Sequence, residues 1–296
     1  MLGGGAIGCE LAQAFARLGI AVTVIESDDR LLPKEEPEAS AVIEEVFTRE
    51  GIDVRTGARA ERVEPGPTAS RLLLSDGTAV EAERLLVALG RQPVTAGLGL
   101  EAVGIETDEK GNIRSDERLR TTARGVWAAG DVTGLMPFTH AAYEQGRIAA
   151  NNALGKRQRY RPEATPWVTF TDPEVARVGI TEAEAARCDG RVAHLPMTEM
   201  DRAVTADATD GFVKLVAGPR LLLGRLGGGR VLGATVVASR AGEMIHTPAL
   251  AMARNMFTGR LAQTTTAYPT WSYAIQLAAA QFFTETGGRT ARRARG

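Results

Sequence analysis

The chain has 296 residues, 44% hydrophobic and 24% charged, with a formal net charge of −1. Such values fit a globular protein with a real core and about two domains, and they argue against a polyanionic partner such as nucleic acid or an anionic membrane. No run of about 18 apolar residues occurs, so no spanning helix is expected. Glu10 interrupts the opening segment and no basic stretch precedes it, unlike a signal peptide.

The first recognisable element is Gly3-x-Gly5-x-x-Gly8. Ile7, Leu11, Phe15 and Leu18 then repeat at helical spacing, and Gly19 ends the run. Ala21–Ile25 reads as a buried parallel strand, and Glu26 closes it. Glycines at this spacing let backbone approach a pyrophosphate. The helix N-terminus supplies N–H groups and partial positive charge. A carboxylate at Glu26 accepts from both ribose hydroxyls and repels a 2′-phosphate, which favours NAD over NADP. Gly3, Gly5, Ala6, Ile7, Gly8 and Glu26 are therefore expected to bind NAD(H). Only Met1 and Leu2 precede the glycines, so the first strand is expected to be truncated.

Residues 38–50 read as a second amphipathic helix, and Ile52-Asp53-Val54 begins another strand. Residues 58–64 and 71–74 look like strands, with a hairpin turn at Asp76-Gly77. Glu83–Leu89 reads as a last buried strand ending at Gly90-Arg91-Gln92-Pro93. Further on, Gly125–Ala129 is a short apolar strand ending in Gly130-Asp131, and residues 139–154 form a helix. A carboxylate at a strand end followed by a helix N-terminus suits a polyhydroxylated ligand.

Residues 156–161 (KRQRYR) read as a basic, solvated linker. Beyond it come strands at Trp167–Thr171, Phe212–Ala217 and Val231–Ala238, with helices at Glu182–Cys188, Gly242–Met256 and Tyr273–Phe283 set apart from the runs of strands. That pattern suggests an antiparallel α+β unit. The tail 286–296 is expected to be disordered. Cys9 and Cys188 form no CxxC, and His140, His194 and His246 are scattered. No metal site is expected, and a reduced cytoplasmic setting is the plain reading.

Four segments together resemble the flavin-dependent pyridine nucleotide–disulfide oxidoreductases, the family of dihydrolipoamide dehydrogenase, glutathione reductase and mercuric reductase. They are GGGAIGCE (3–10), ALGRQP (88–93), VWAAGD (126–131) and TPWVTFTDPEVARVGITEAEA (165–185), in the family's order. The resemblance implies an α/β and α+β chain in several parts. Residues 1–93 would be a Rossmann-type NAD(H)-binding domain, and 94–155 the C-terminal segment of an FAD-binding domain. Residues 156–285 would be a dimerisation domain, with 286–296 a disordered tail. It implies two cofactors, FAD and NAD(H). Glu10 and Gly90 would lie near the nicotinamide and Val63 at the adenine. Gly130 and Asp131 would bind the flavin's ribityl–pyrophosphate region, with Thr139 and His140 along the isoalloxazine. The activity implied is hydride transfer from NADH to flavin and on to a disulfide or other small-molecule acceptor, in a homodimer with neither nucleic acid nor membrane as partner.

The departures from the family also carry information. An FAD domain with its own GxGxxG and a CxxxxC pair are not among these residues, so the chain is expected to be a C-terminal part, inactive when isolated. The family's His-Pro-Thr-x-x-Glu segment reads Tyr268-Pro269-Thr270-Trp271-Ser272-Tyr273 here. A phenol titrates near pH 10, so Tyr268 is a weak catalytic candidate. A tyrosine there is similar to mercuric reductase-like members, although that enzyme's C-terminal cysteine pair is missing. Two alternatives stand beside the disulfide reductase: a non-catalytic NAD-binding and dimerisation fragment, and a transhydrogenase-like flavoprotein without a redox disulfide.

Overall fold

The computed structural model describes residues 1–220 and 222–296. They form two compact units, one of 1–89 with 166–296 and one of 90–165.

In the first unit α1 (Ala6–Arg17) follows the glycines and leads to β1 (Thr23–Ile25). Helix α2 (Pro37–Arg49) begins on proline, whose missing N–H is no loss in a first turn. It turns its apolar stripe of Ala39, Ile43, Val46 and Phe47 inward. Strand β2 (Asp53–Arg55) pairs parallel with β1. Residues 1–3 complete this small parallel sheet. Leu2 bridges both Ile25 and Val87, with Leu2 N–H donating to Leu86 O (2.8 Å) and Gly3 N–H to Ile25 O (2.9 Å). Strands β3 (Ala60–Glu64), β4 (Ser70–Leu74) and β5 (Ala79–Ala82) make an antiparallel meander with the turn at Asp76-Gly77.

Glu83–Leu89 departs from its expected buried strand. Only Val87 bridges, and Val87 and Leu89 are exposed. One neighbouring residue, Leu2, offers it hydrogen bonds, so no ladder extends along the segment.

The second unit holds α3 (Thr139–Ala153). The expected strand at 125–129 reduces to one bridge, Trp127 with Arg120. Nor is the linker wholly solvated: Tyr160 is buried with Leu119, Ile148 and Ala149, and its N–H donates to Glu117 O (2.8 Å). An aromatic ring beside an open apolar patch gains more by covering it than by hydration.

The first unit continues with β6 (Trp167–Thr169), β7 (Glu174–Gly179), α4 (Glu182–Ala186), β8 (Arg191–Pro196) and α5 (Asp201–Thr205). Then come β9 (Phe212–Gly218), β10 (Arg230–Ala238), α6 (Ala241–Met244), α7 (His246–Ala253), α8 (Thr258–Gln263) and α9 (Tyr273–Ala280). The helix expected over 242–256 is two short ones meeting at Ile245; Pro248 has no N–H to donate to the Met244 carbonyl, which interrupts the α-helical ladder there. With β11 (Arg292–Arg293) at one edge, the six-stranded sheet runs β11-β8-β9-β10-β7-β6, all pairs antiparallel. Strand β9 is buried throughout, because α7 and α9 pack on the core that it shares with β10. A second core joins Cys9, Ala12, Ile43 and Phe47 to Val175, Phe212 and Val237, so the parallel sheet's helices and the antiparallel sheet share one interior.

The tail corrects the expectation of disorder. Strand β11 (Arg292–Arg293) pairs with Val192 and Arg191. Ala291 is buried, and the Arg292 guanidinium meets the Glu182 carboxylate. A free edge strand and a buried acid give the arginine-rich tail partners that its composition does not reveal.

Candidate functional site

The glycine loop is built by close packing on two sides and openness on the third. A Cβ on Gly8 would lie 1.8 Å from Gly3 O, and one on Gly3, at φ 99°, would lie 2.5 Å from Ala88 O. Gly5 caps α1, and a Cβ there would meet nothing within 4 Å. The first intrahelical bond runs from Cys9 N–H to Gly5 O (2.9 Å). The amides of Ala6, Ile7 and Gly8 therefore precede the helical ladder, and no side chain among the described residues caps it. Such an uncapped start with space before it accepts an anionic group. The residues fit a dinucleotide pyrophosphate.

Glu26 is buried and occupied. One carboxylate oxygen accepts from Gly4 N–H (2.6 Å); the other accepts from Asp28 N–H (2.9 Å) and Ser27 Oγ–H (3.1 Å). On its other side the Gly4 carbonyl accepts from Cys9 Sγ–H (3.2 Å). Gly4 is thus held at both its N–H and its carbonyl. Burial, then the Glu26 and Glu10 carboxylates, pushes the Cys9 thiol up to about 12, so it stays a donor and not a thiolate. The Gly3–Gly8 run includes Gly4, but nothing in the sequence signals its bond to Glu26.

Glu10 has a protein partner as well. Its carboxylate accepts from Phe170 N–H (2.8 Å). One turn on, Gln13 exchanges bonds with Asp172, donating to its carbonyl (2.8 Å) and accepting from its N–H (2.7 Å). Arg17 meets Asp172 (2.9 Å) and Glu50 (2.6 Å). One polar edge of α1 therefore fastens the glycine loop's helix to the segment after β6. Val63 lies half-exposed on β3, opposite Leu72.

The remaining proposed cofactor residues lie in the second unit. Gly90 opens it at φ 116°. Gly130 N–H donates to Gln145 Oε1 (2.7 Å), and Thr133 Oγ lies 3.3 Å from the same oxygen. Gln145 is fully buried and its Nε2 has no partner among the described residues. Asp131 pairs with Arg91 (3.1 Å), whose other nitrogen donates to Pro137 O (3.2 Å). Thr139 and His140 begin the 15-residue α3, which no side chain caps, and His140 stacks on Phe138 at 5.7 Å. A helix start uncapped among the described residues, in the same unit as the Asp131 carboxylate and a spare buried amide donor at Gln145, fits a flavin's phosphate and hydroxyls. Arg91 and Gln145 were not singled out from sequence.

Tyr268 sits apart from these residues in the chain. It is 64% exposed, donates its hydroxyl to the Asp201 carboxylate and meets Tyr273 edge-on at 5.8 Å. The hydrogen bond to Asp201 raises the phenol above its ordinary value, so it stays protonated near neutrality. Asp201, 67 residues away, carried no sequence signal. Among the described residues no group of three or more His, Cys, Asp or Glu is placed to hold a metal, and no helix is long and apolar enough to cross a membrane.

Comparison with known proteins adds a family. The family description "Pyridine nucleotide-disulphide oxidoreductase" matches residues 1–146, and "Pyridine nucleotide-disulphide oxidoreductase, dimerisation domain" matches 165–279. The chain is 42% identical to a mercuric reductase of Streptomyces lividans over 95% of its own length and 59% of the relative's. It is 36% identical to a dihydrolipoyl dehydrogenase of Thermus scotoductus, covering 94% and 60%. The crystal structure of LpdA from Mycobacterium tuberculosis superposes with a TM-score of 0.87 at 36% identity, covering 96% of this chain and 61% of that one. The chain thus spans about three-fifths of the length of these three relatives.

Proposed function

This chain belongs to the pyridine nucleotide–disulphide oxidoreductases, and on that premise we propose that it carries the NAD(H) site, part of the FAD site and the homodimer-forming region of an FAD-dependent NAD(P)H oxidoreductase. The observation that carries the reading is the glycine loop: Gly5 opens on free space in front of an uncapped helix while Gly3 and Gly8 admit no side chain. Residues 1–93 bind NAD(H). Gly3, Gly5 and Gly8 with the Ala6 and Ile7 amides hold its pyrophosphate, and Glu26 holds the adenosine ribose. Glu26 performs two tasks, since the oxygen that fixes Gly4 keeps a second lone pair for a hydroxyl. Val63 borders the adenine, and Glu10 and Gly90 border the nicotinamide.

Residues 94–155 hold FAD through Gly130, Asp131, Thr139 and His140, and residues 156–285 form the homodimer. When bound, the nicotinamide supplies a hydride that the flavin passes to a small-molecule acceptor. Arg91 neutralises Asp131 and keeps it oriented. The α3 amides at Thr139 face negative charge on the ligand. Tyr268, with its proton held toward Asp201, turns only its oxygen lone pairs to the acceptor end. Cys9 and Cys188 are not a redox pair: both are free, one is buried, and its thiol is held un-ionised.

The test is titration of the purified chain with NADH and NADPH. Glu26→Ala is expected to weaken NADH binding about tenfold or more and to narrow the preference over NADPH, as two charge-assisted hydrogen bonds are lost. The preference ratio separates a ribose contact from a collapsed loop, which weakens both nucleotides equally. An unchanged ratio refutes the ribose role of Glu26, and no binding of either nucleotide by the folded wild-type chain refutes the site.

A further inference from the structure

Between β9 and β10 the described residues carry a group of exposed leucines. Within five positions Leu222, Leu223 and Leu226 are 97%, 48% and 71% exposed. Leu222 also sits at φ 67°, left-handed backbone that a branched side chain rarely adopts. Single exposed leucines are ordinary, whereas a group of them at one loop tip marks a surface that is covered by something.

The charge around the tip says what covers it. No acidic residue occurs from Gly211 through Gly242, and between Gly218 and Gln263 there are six arginines against the single acid Glu243. The net charge of −1 hides this local excess. Arg220 and Arg260 both lie over one ring, Phe257, at 5.2 and 5.4 Å. Arg230 reaches only the neutral Asn255 amide (3.4 Å). Among the described residues Arg225 alone of these four meets a carboxylate, Asp189. The β9–β10 turn therefore presents leucines at its tip and uncompensated guanidinium groups around its base.

A second copy packed loop to loop would oppose arginine to arginine. A free anion would use the arginines and leave the leucines in water. A lipid surface uses both, with phosphate headgroups for the guanidiniums and the acyl boundary for the aliphatic side chains. We propose that the surface formed by Leu222, Leu223 and Leu226 with Arg220 and Arg260 docks this protein peripherally on an anionic phospholipid bilayer. This stands independently of the nucleotide site, since none of its residues belongs to that site.

The experiment is co-sedimentation of the full chain with vesicles of phosphatidylcholine alone and of phosphatidylcholine mixed with phosphatidylglycerol. The wild type is expected to pellet with the mixed vesicles at low salt, to be released as ionic strength rises, and to stay largely soluble with phosphatidylcholine alone. The triple variant Leu222→Ser/Leu223→Ser/Leu226→Ser is expected to lose on the order of tenfold or more in partition, with an unchanged thermal midpoint because its side chains are exposed. Arg220→Gln and Arg260→Gln are each expected to lose about fivefold. A wild type that stays in the supernatant with mixed vesicles overturns the proposal, and so does a triple variant that binds as well. Sedimentation velocity without lipid gives a third outcome: self-association abolished by the leucine substitutions overturns the lipid surface in favour of a second copy.

Discussion

At single residues, the glycine loop is decided by tenths of an ångström. Gly8 has no alternative, because any Cβ would overlap the Gly3 carbonyl, itself bonded into the small parallel sheet through the Gly3 N–H. Gly8→Ala is expected to destabilise the fold by about 1–3 kcal/mol, the usual scale of forced overpacking, and to abolish NADH binding. A urea denaturation midpoint beside a nucleotide titration checks both. Gly5→Ala, placed in open space, is expected to leave the midpoint nearly unchanged while still impairing binding. That contrast separates packing glycines from ligand-facing ones. Glu26 and Cys9 belong to the same scale: one carboxylate and one un-ionised thiol hold the N–H and the carbonyl of a single residue, Gly4.

Among elements, the joints are polar and the interiors apolar. Helix α1 meets the 170–172 segment through Glu10, Gln13 and Arg17, spaced so that all three share one edge of a helix. The same logic holds the tail. Strand β11 is only two residues long, and two-residue pairing alone is weak. What fixes it is Arg292 against Glu182, Arg289 against Glu199, and Ala291 packed inward. Arg292→Ala is expected to release the tail and cost about 1–2 kcal/mol, the scale of a hydrogen bond to a charged group. Amide hydrogen exchange at Val192 and Arg191, the residues that it covers, reports the release. Unchanged protection there would show that β11 holds without its arginine.

Across the whole molecule, a buried charge cluster joins distant parts of the chain. Lys214 on β9 is 1% exposed and meets Glu36 (3.2 Å), Glu38 (2.6 Å) and Glu182 (3.1 Å), while Glu35 pairs with Arg177 (2.8 Å). Burial alone would raise Glu182, but Arg292 and Lys214 outweigh it and hold the carboxyl at about 2, below its ordinary 4.5. Because the folded value is the lower one, this contribution is complete above about pH 4.5 and disappears as pH falls toward 2. Lys214 is raised despite its burial, so its contribution is complete below its ordinary value and disappears only as pH rises past it. Stability is therefore expected to fall steeply on acidification below about pH 4.5. Glu182→Gln is expected to flatten that limb while lowering the plateau, since it leaves Lys214 one partner short. Urea midpoints measured across the acid range distinguish the two curves.

The sequence by itself determined whatever depends on a few neighbouring residues. The glycine loop, α1, β1, α2, the Asp76-Gly77 hairpin and α3 were legible because backbone sterics and side-chain periodicity act within one or two turns of chain. The family resemblance followed from four such segments in order. Pairings between remote residues were decided only by the tertiary structure. Lys214 and Glu36 are 178 positions apart, Tyr268 and Asp201 67, and no local pattern couples them. The segments read wrongly share this cause. Residues 83–89 are apolar enough for a buried strand but have one bridging neighbour, and the arginine-rich tail looks disordered until Glu182 and the β8 edge are beside it. Glu26 joins both levels: its place at the strand end is written in the sequence, while its bond to Gly4 exists only because folding brings the two together.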